Sequence, residues 1–408
     1  MAGTAKDVRL ETTAPTTDFD PYTEEVLDDP YPHYEMLRGL GPVFYLRRYN
    51  AYGIARHAET ESVLRDPASF CSGAGVGLAN FHTEAPWRKP SIILEVDPPV
   101  HSRTRKVIGA LLSPASINRL RPTFEREAQK LVEHVLALRS FDAVNELCAA
   151  YPLRVFADAV GIPQEGREKY LLLYGDMVFN AFGPVNNRFE ACLARAQAGA
   201  IDWVTQACQR ENLTPDGWGM QLYKAADEGL LEPDEAPMLV RTMLSAGLDT
   251  TAFALCNAIC SFARFPDQWA LLHAQPSMAR QAFEEVLRYE GTFHSFYRTT
   301  TREVDIAGIH MPPEQKVCVF IASANRDPLR WGDTASTFDV TRRATGNMAF
   351  GTGIHGCAGQ MIARLEAEIL LSELARRVKQ IRLEGKPVVH YNNAVRGYDS
   401  IPVSILPA

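Results

Sequence analysis

The sequence contains no uninterrupted apolar run of about 18 residues, the length a membrane-crossing helix needs, so no such helix is expected. Its first stretch, MAGTAKDVRLETTAPTTDFDPYTEE, lacks the apolar centre of a secretory signal and is polar and acidic instead. Positive charge is in deficit: 42 Lys and Arg face 49 Asp and Glu, for a net charge of −7. That balance argues against wholesale binding to nucleic acid or to an anionic membrane, and leaves room for a local basic patch. There is no CxxC pair, no Cys/His group at zinc-ligand spacing and no Walker lysine, which removes the commonest metal and P-loop nucleotide sites. Repeats, low-complexity tracts and long linkers are missing too. A cytoplasmic protein is expected, with residues 1–17 as a loose arm. Residues 18–408 are expected as one domain, rather than the two or three that about 150 residues per domain would suggest.

What is present is ample material for a core: 408 residues, 46% hydrophobic and 22% charged. The eight cysteines (71, 148, 192, 208, 256, 260, 318 and 357) are scattered, so most are expected as buried free thiols. The longest helical pattern runs from about Asp234 to Phe265, opened by the acidic Glu232-Pro233-Asp234-Glu235 and ended by Pro266. At 1.5 Å per residue it would extend roughly 48 Å, across a whole domain. A second helix is expected from Ser277, as N-cap, to about Glu290. A third follows Gly359, where Ile362, Leu365, Ile369, Leu374 and Val378 approximate a stripe. Strand signals are fewer: a hairpin from 43–46 and 51–55, and the apolar run 317–321. The fold class expected is mainly α with small β-sheets.

The segment Phe350-Gly351-Thr352-Gly353-Ile354-His355-Gly356-Cys357-Ala358-Gly359 carries the most information. Most cysteines are merely packed. Here three glycines precede Cys357 and one follows, which implies positive φ or a close approach of the backbone to something. The cysteine then opens a helix, where the dipole and unpaired N–H groups stabilise a thiolate and would tune an attached metal. The earlier Gly73-Ala74-Gly75-Val76-Gly77 lacks nucleotide-loop spacing and signals little.

Phe350, Gly353, Cys357 and Gly359 match Phe-x-x-Gly-x-x-x-Cys-x-Gly, the haem-binding signature of cytochromes P-450, and the chain resembles a soluble bacterial member of that family. The resemblance implies haem b held between the long central helix and the cysteine-loop helix, with Cys357 as the metal ligand. A thiolate trans to oxygen favours O–O cleavage. It implies cofactor contacts from Phe350, Gly351, Gly359, His355, Arg298, and His101 and Arg105 of His101-Ser102-Arg103-Thr104-Arg105, four apart on one helical face. Glu285-Val286-Leu287-Arg288, by itself an ordinary surface ion pair, resembles the family's Glu-x-x-Arg. With Arg342 of Phe338-Asp339-Val340-Thr341-Arg342 it would form a structural cluster bracing the cysteine loop. Ala246-Gly247-Leu248-Asp249-Thr250-Thr251 resembles the oxygen-activation motif. Gly247 would leave room for dioxygen, at roughly 1 kcal/mol relative to alanine, and Asp249 and Thr250 would relay protons. The plain alternative is a kinked helix whose threonine bonds its own backbone.

Further likeness points to bacterial enzymes that oxidise para-substituted benzoates, typically removing the methyl of 4-methoxybenzoate. It rests on Pro86-Trp87-Arg88-Lys89-Pro90-Ser91, on 178–184 and on Arg241 to Ser245. The implied carboxylate anchors are Arg88, Ser91, Arg241, Thr242 and Ser245. Phe179 and Phe182 would sandwich the ring, Leu94 and Phe296 would pack beside it, and Phe293 would narrow the pocket. Surface and core roles are the plain alternatives. Anchoring a carboxylate far from the iron would aim the para group at it, which makes physical sense. Thr242 and Phe293 depart from the pattern, where serine and a smaller aliphatic are expected. The implied partners are dioxygen and a ferredoxin with its NAD(P)H-dependent reductase, drawn to a basic face of Arg103, Arg105, Lys106, Arg342, Arg343 and Arg364. A peroxide-using haem-thiolate enzyme and a non-catalytic haem sensor are the rival readings.

Overall fold

The computed structural model describes residues 12–86 and 88–408. Eight helices place the site: α1 (Val100–Leu111), α2 (Pro114–Leu138), α3 (Ala150–Val160), α4 (Arg167–Asn180), α5 (Glu235–Gly247), α6 (Asp249–Arg264), α7 (Ala279–Tyr289) and α8 (Gln360–Arg377). They share one apolar core in which Phe124, Tyr151, Leu255, Phe262, Phe283 and Leu370 are fully enclosed.

The principal sheet has β1 (Thr16–Thr17), β2 (Phe44–Leu46), β3 (Ala51–Ile54), β4 (Phe70–Cys71), β5 (Phe296–Thr300) and β6 (Lys316–Val319), in the order β1-β2-β3-β6-β5-β4. The expected hairpin is β2–β3, antiparallel with Tyr45 opposite Tyr52. The run 317–321 is apolar throughout because β6 is covered on both faces. Val317 and Val319 join one cluster with Tyr52 and Ile54, while Cys318 and Phe320 join another with Phe44 and Tyr297. A separate hairpin, β7 (Val388–Tyr391) and β8 (Arg396–Ser400), packs its turn against the end of α4 through Asn392 and Asn393.

Three expectations need correction. The loose arm falls mostly on residues outside the description, but its last part is sheet. Ala14 is buried, Tyr45 N donates to Pro15 O at 2.8 Å, and β1 pairs parallel with β2. The central helix is not continuous: Leu248, at φ −92° and ψ −64°, separates α5 from α6. The longest unbroken described helix is instead α2, with 25 residues. Ser277 is no N-cap; it lies in a 3-10 turn, Pro276–Met278, and α7 begins at Ala279. The proline at the head of that turn presets the tight conformation that delays the α-helix. Finally, Glu235–Arg264 taken together is long and apolar enough to cross a membrane, and 72% of its most apolar window is buried inside the fold. It serves as the core helix.

Candidate active site

The cysteine loop leads into α8, whose first residue is Gln360 with Gly359 as N-cap, so Cys357 stands two residues ahead of the cap rather than at the helix opening. The glycines are needed at two places. Gly351 and Gly353 have φ of +64° and +71°, and a Cβ on Gly353 would lie 2.4 Å from Leu64 O. Cys357 N donates to Phe350 O at 2.8 Å, closing the loop. Burial pushes the Cys357 thiol up, while the N–H groups of Gly359 and Gln360 and the charges of Arg105 and Arg364 favour the thiolate.

The loop is braced from behind. Arg288 and Glu285, both fully buried, form a two-pronged pair at 2.7 Å in each arm. Arg342 Nε reaches Glu285 Oε1 at 3.3 Å, and Asp339 N donates to the same oxygen. Arg288 also donates to Asn325 O, Ala335 O and Thr337 O. Asn325 Oδ1 in turn accepts from Met348 N, two residues before Phe350. The three residues expected as a structural cluster are therefore one network.

A single cavity joins the cysteine loop to α5 and α6; Ala246, Gly247, Thr250, Cys357 and Phe350 all line it. Gly247 admits a phenylalanine: a Cβ there would lie 2.3 Å from the Phe156 ring on α3. Thr250 faces the cavity and its Oγ1 donates to Ala246 O at 2.7 Å, spanning the interruption at Leu248. Asp249 turns the other way. It is buried, neither carboxylate oxygen has a hydrogen-bond partner among the described residues, and a Cβ on Gly175 of α4 would lie 1.8 Å from Oδ2. Burial and then the charge of Asp176 raise its pKa well above the carboxylate range, with His390 opposing. Asp176 and His390, bonded at 3.0 Å, come from α4 and β7. Neither had a signal in the sequence, being 214 residues apart.

Four aromatic rings form the distal wall. Phe293 stacks on Phe296 at 4.5 Å, Phe179 meets Phe293 at 5.4 Å and Phe182 at 6.0 Å, and Phe182 meets Phe296 at 6.1 Å. Leu94 and Thr242 also line the cavity. Arg88, Ser91, Arg241 and Ser245 lie outside its lining. The expected anchors are engaged internally: Arg88 pairs with Glu95 through both terminal nitrogens at 2.9 and 3.1 Å, and Ser91 N donates to Glu95 at 2.7 Å. The Thr242 and Ser245 hydroxyls donate to Met238 O and Thr242 O. Glu95, in Leu94-Glu95-Val96, carried no sequence signal for this role.

A family model for cytochrome P450 matches residues 218–388. The chain is 48% identical over 395 residues, covering 97% of it and 95% of the relative, to cytochrome P450 CYP199A2 of Rhodopseudomonas palustris. It belongs to the cytochrome P450 family. The epothilone C/D epoxidase of Sorangium cellulosum is 27% identical, with 99% of each chain covered. Among solved structures, cytochrome P450 CREJ in complex with (4-ethylphenyl) dihydrogen phosphate superposes with a TM-score of 0.84 at 25% identity, covering 95% of this chain and 99% of that one.

Haem b, the family's cofactor, fits the residues present. His101 and His355 lie with ring centroids 4.2 Å apart, and among the described residues the buried Nε2 of each has no hydrogen-bond partner, Asp97 Oδ1 standing 3.8 Å from that of His355. Arg105 donates to Gly356 O, and Arg298 to Tyr297 O. Burial, then His355 and Arg105, push the His101 pKa down to about 4. Four donors thus gather with unspent capacity; Asp97, the carboxylate beside them, already accepts from Ser72 N and Gly73 N, so these four would hold two propionates. On this P450's cysteine side the expected basic face is mostly matched. Arg103 pairs with Glu235, Arg364 with Glu284 and Arg342 with Glu285, while Lys106 and Arg343 are exposed.

Proposed function

We propose that this P450 oxidises a small para-substituted benzoate, in the simplest case removing the methyl group of 4-methoxybenzoate. The four-ring slot of Phe179, Phe182, Phe293 and Phe296, set in the same cavity as Thr250 and Cys357, carries the reading. A flat ring held edge and face between aromatic walls has one long axis, and orientation decides which C–H bond reacts. Burial raises the Tyr174 hydroxyl pKa, and Arg241 and Arg88 oppose it, so both cations act on one side of α4. A carboxylate at that end would point the para group towards Thr250. The aromatic anionic ligand named in the CREJ complex belongs to that protein, and its chemistry agrees with such a slot.

When bound, the haem activates dioxygen so that one oxygen atom enters a substrate C–H bond and the other leaves as water, using two electrons from redox partner proteins and two protons. Hydroxylation of the methoxy carbon gives a hemiacetal, which breaks into 4-hydroxybenzoate and formaldehyde. In this scheme Thr250 holds a hydroxyl at the cavity wall. Asp249 stores a proton in a dry pocket behind it, and the rings exclude bulk water. A ferredoxin and its reductase supply the electrons.

The pairing of Arg88 with Glu95 favours a second reading, a small uncharged or phenolic substrate, because the cation expected to anchor a carboxylate is already matched. Titrating the ferric protein with 4-methoxybenzoate and with 4-methoxytoluene separates the two. Displacement of the iron-bound water by the acid alone, followed by formaldehyde release with ferredoxin, reductase and NADH, supports the benzoate reading. A response to the uncharged analogue alone overturns it.

A further inference from the structure

Behind the aromatic slot lies a buried cation that the chemistry above does not use. Lys316 opens β6, is buried, and donates to Gly75 O at 2.9 Å and to Ala79 O at 3.1 Å. Those carbonyls mark the two ends of one turn. Gly75 takes φ +92° there, and Phe81 N returns to Ala74 O at 3.0 Å. The turn touches the slot directly: Leu78 N donates to Phe182 O at 2.9 Å, and a Cβ on Gly77 would lie 2.8 Å from Phe182 Cα. Val76, fully enclosed, packs with Phe179 and Phe182, and its carbonyl accepts from Tyr297 N. On the outer side is a cleft between Leu78–Asn80 and Gly183–Val185, lined also by Lys316, Glu84 and Glu314. There is room for the turn to move outward.

We propose that Lys316 is a positioning residue for the slot: its two bonds close the Gly75–Ala79 turn, and the closed turn holds Phe182 at the cavity wall. The consequence for substrate rests on the benzoate reading; the tie itself belongs to the ligand-free protein. The groups acting on Lys316 are Cys71 on β4, Arg298 and the Tyr297 ring on β5, Glu84 and Glu95 from the loop, and Glu314 beside the turn in the outer cleft. Burial lowers its pKa to about 7; Cys71, Glu84 and Glu95 oppose this and Arg298 reinforces it. Opening the turn returns the ammonium to water, where a lysine titrates near about 10.4. The closed form therefore binds the proton more weakly. By linkage it gains on the open form as pH rises above about 7, at up to about tenfold per unit, and is weakest below that.

Amide hydrogen exchange of the haem-loaded, substrate-free protein tests this, with rates corrected for the intrinsic effect of pH. Peptides covering 74–81 are expected to gain protection between pH 6 and 9, while those of α6 do not. Lys316→Met, of similar length without a donor, is expected to exchange at least tenfold faster in 74–81 and to lose the pH dependence. A flat wild-type profile overturns the proposal, and that arm needs no variant. So does a Met variant that exchanges like wild type in 74–81, or one that exchanges faster everywhere alike. Because no substrate is present, failure of 4-methoxybenzoate to bind leaves the result readable.

Discussion

Asp249 and Gly175 are in contact across the α6–α4 interface, so closely that position 175 has no room for a side chain. The Asp249 carboxyl, expected as part of a proton relay, is thus stored against a neighbouring helix, beside the Asp176–His390 pair, and Thr250 alone of the two faces the cavity. Gly175→Ala is expected to displace that carboxyl. The measurement is hydrogen peroxide released per NADH consumed, which should rise severalfold while the ferric spectrum stays unchanged.

Thr250→Ala removes the hydroxyl at the cavity wall and is expected to leave the fold intact, since that hydroxyl makes one local bond, back to Ala246 O across the break at Leu248. Product per NADH is expected to fall about tenfold or more, the lower bound lying under the roughly 100- to 10,000-fold that positioned proton transfer contributes. Electron consumption should continue. Unchanged coupling would remove Thr250 from the proton route.

Glu285→Gln leaves the fully buried Arg288 and the partly buried Arg342 facing a neutral amide. Breaking such a pair costs about 3–5 kcal/mol, enough to loosen the segment from Asn325 to Met348 that carries the cysteine loop. The expected outcome is a lower unfolding midpoint and faster haem loss to apomyoglobin.

His390 gives a pH signature. Burial opposes its protonation, but its bonds to Asp176 and Asp399 prevail and raise its pKa to about 10. A raised folded pKa means that the stabilisation is complete below the unfolded value of about 6.5 and is lost as pH climbs to about 10. The difference in melting temperature between wild type and His390→Asn should therefore shrink steadily from pH 6.5 to 10.

The legible part of this protein was its local chemistry. Phe350 to Gly359 is a continuous segment whose glycines announce their backbone, and the Glu285–Arg288 spacing sets both on one turn of α7. Long-range pairings left no trace. Glu95 matching Arg88, Phe156 filling the space beside Gly247, and His390 meeting Asp176 depend on the packing of elements far apart in the chain. The break at Leu248 was masked because the apolar pattern continues through it. α2 passed unnoticed although Ser113 and Pro114 mark its start and Ser113 does cap Ser116 N, because Pro122 inside it reads as a stop.

Glu95→Gln tests the proposed binding of a substrate carboxylate. It removes the carboxylate that Arg88 now engages, so the dissociation constant for 4-methoxybenzoate, followed by the haem spectrum, is expected to fall about tenfold. No change, or weaker binding with the fold intact, would place the carboxylate elsewhere.

The bond between Cys357 sulfur and iron is read directly by the spectrum of the dithionite-reduced protein under carbon monoxide. A red-shifted, thiolate-type Soret band that disappears in Cys357→His is the result expected. An imidazole-type band in the wild-type protein, or a thiolate-type band that survives the substitution, would contradict it.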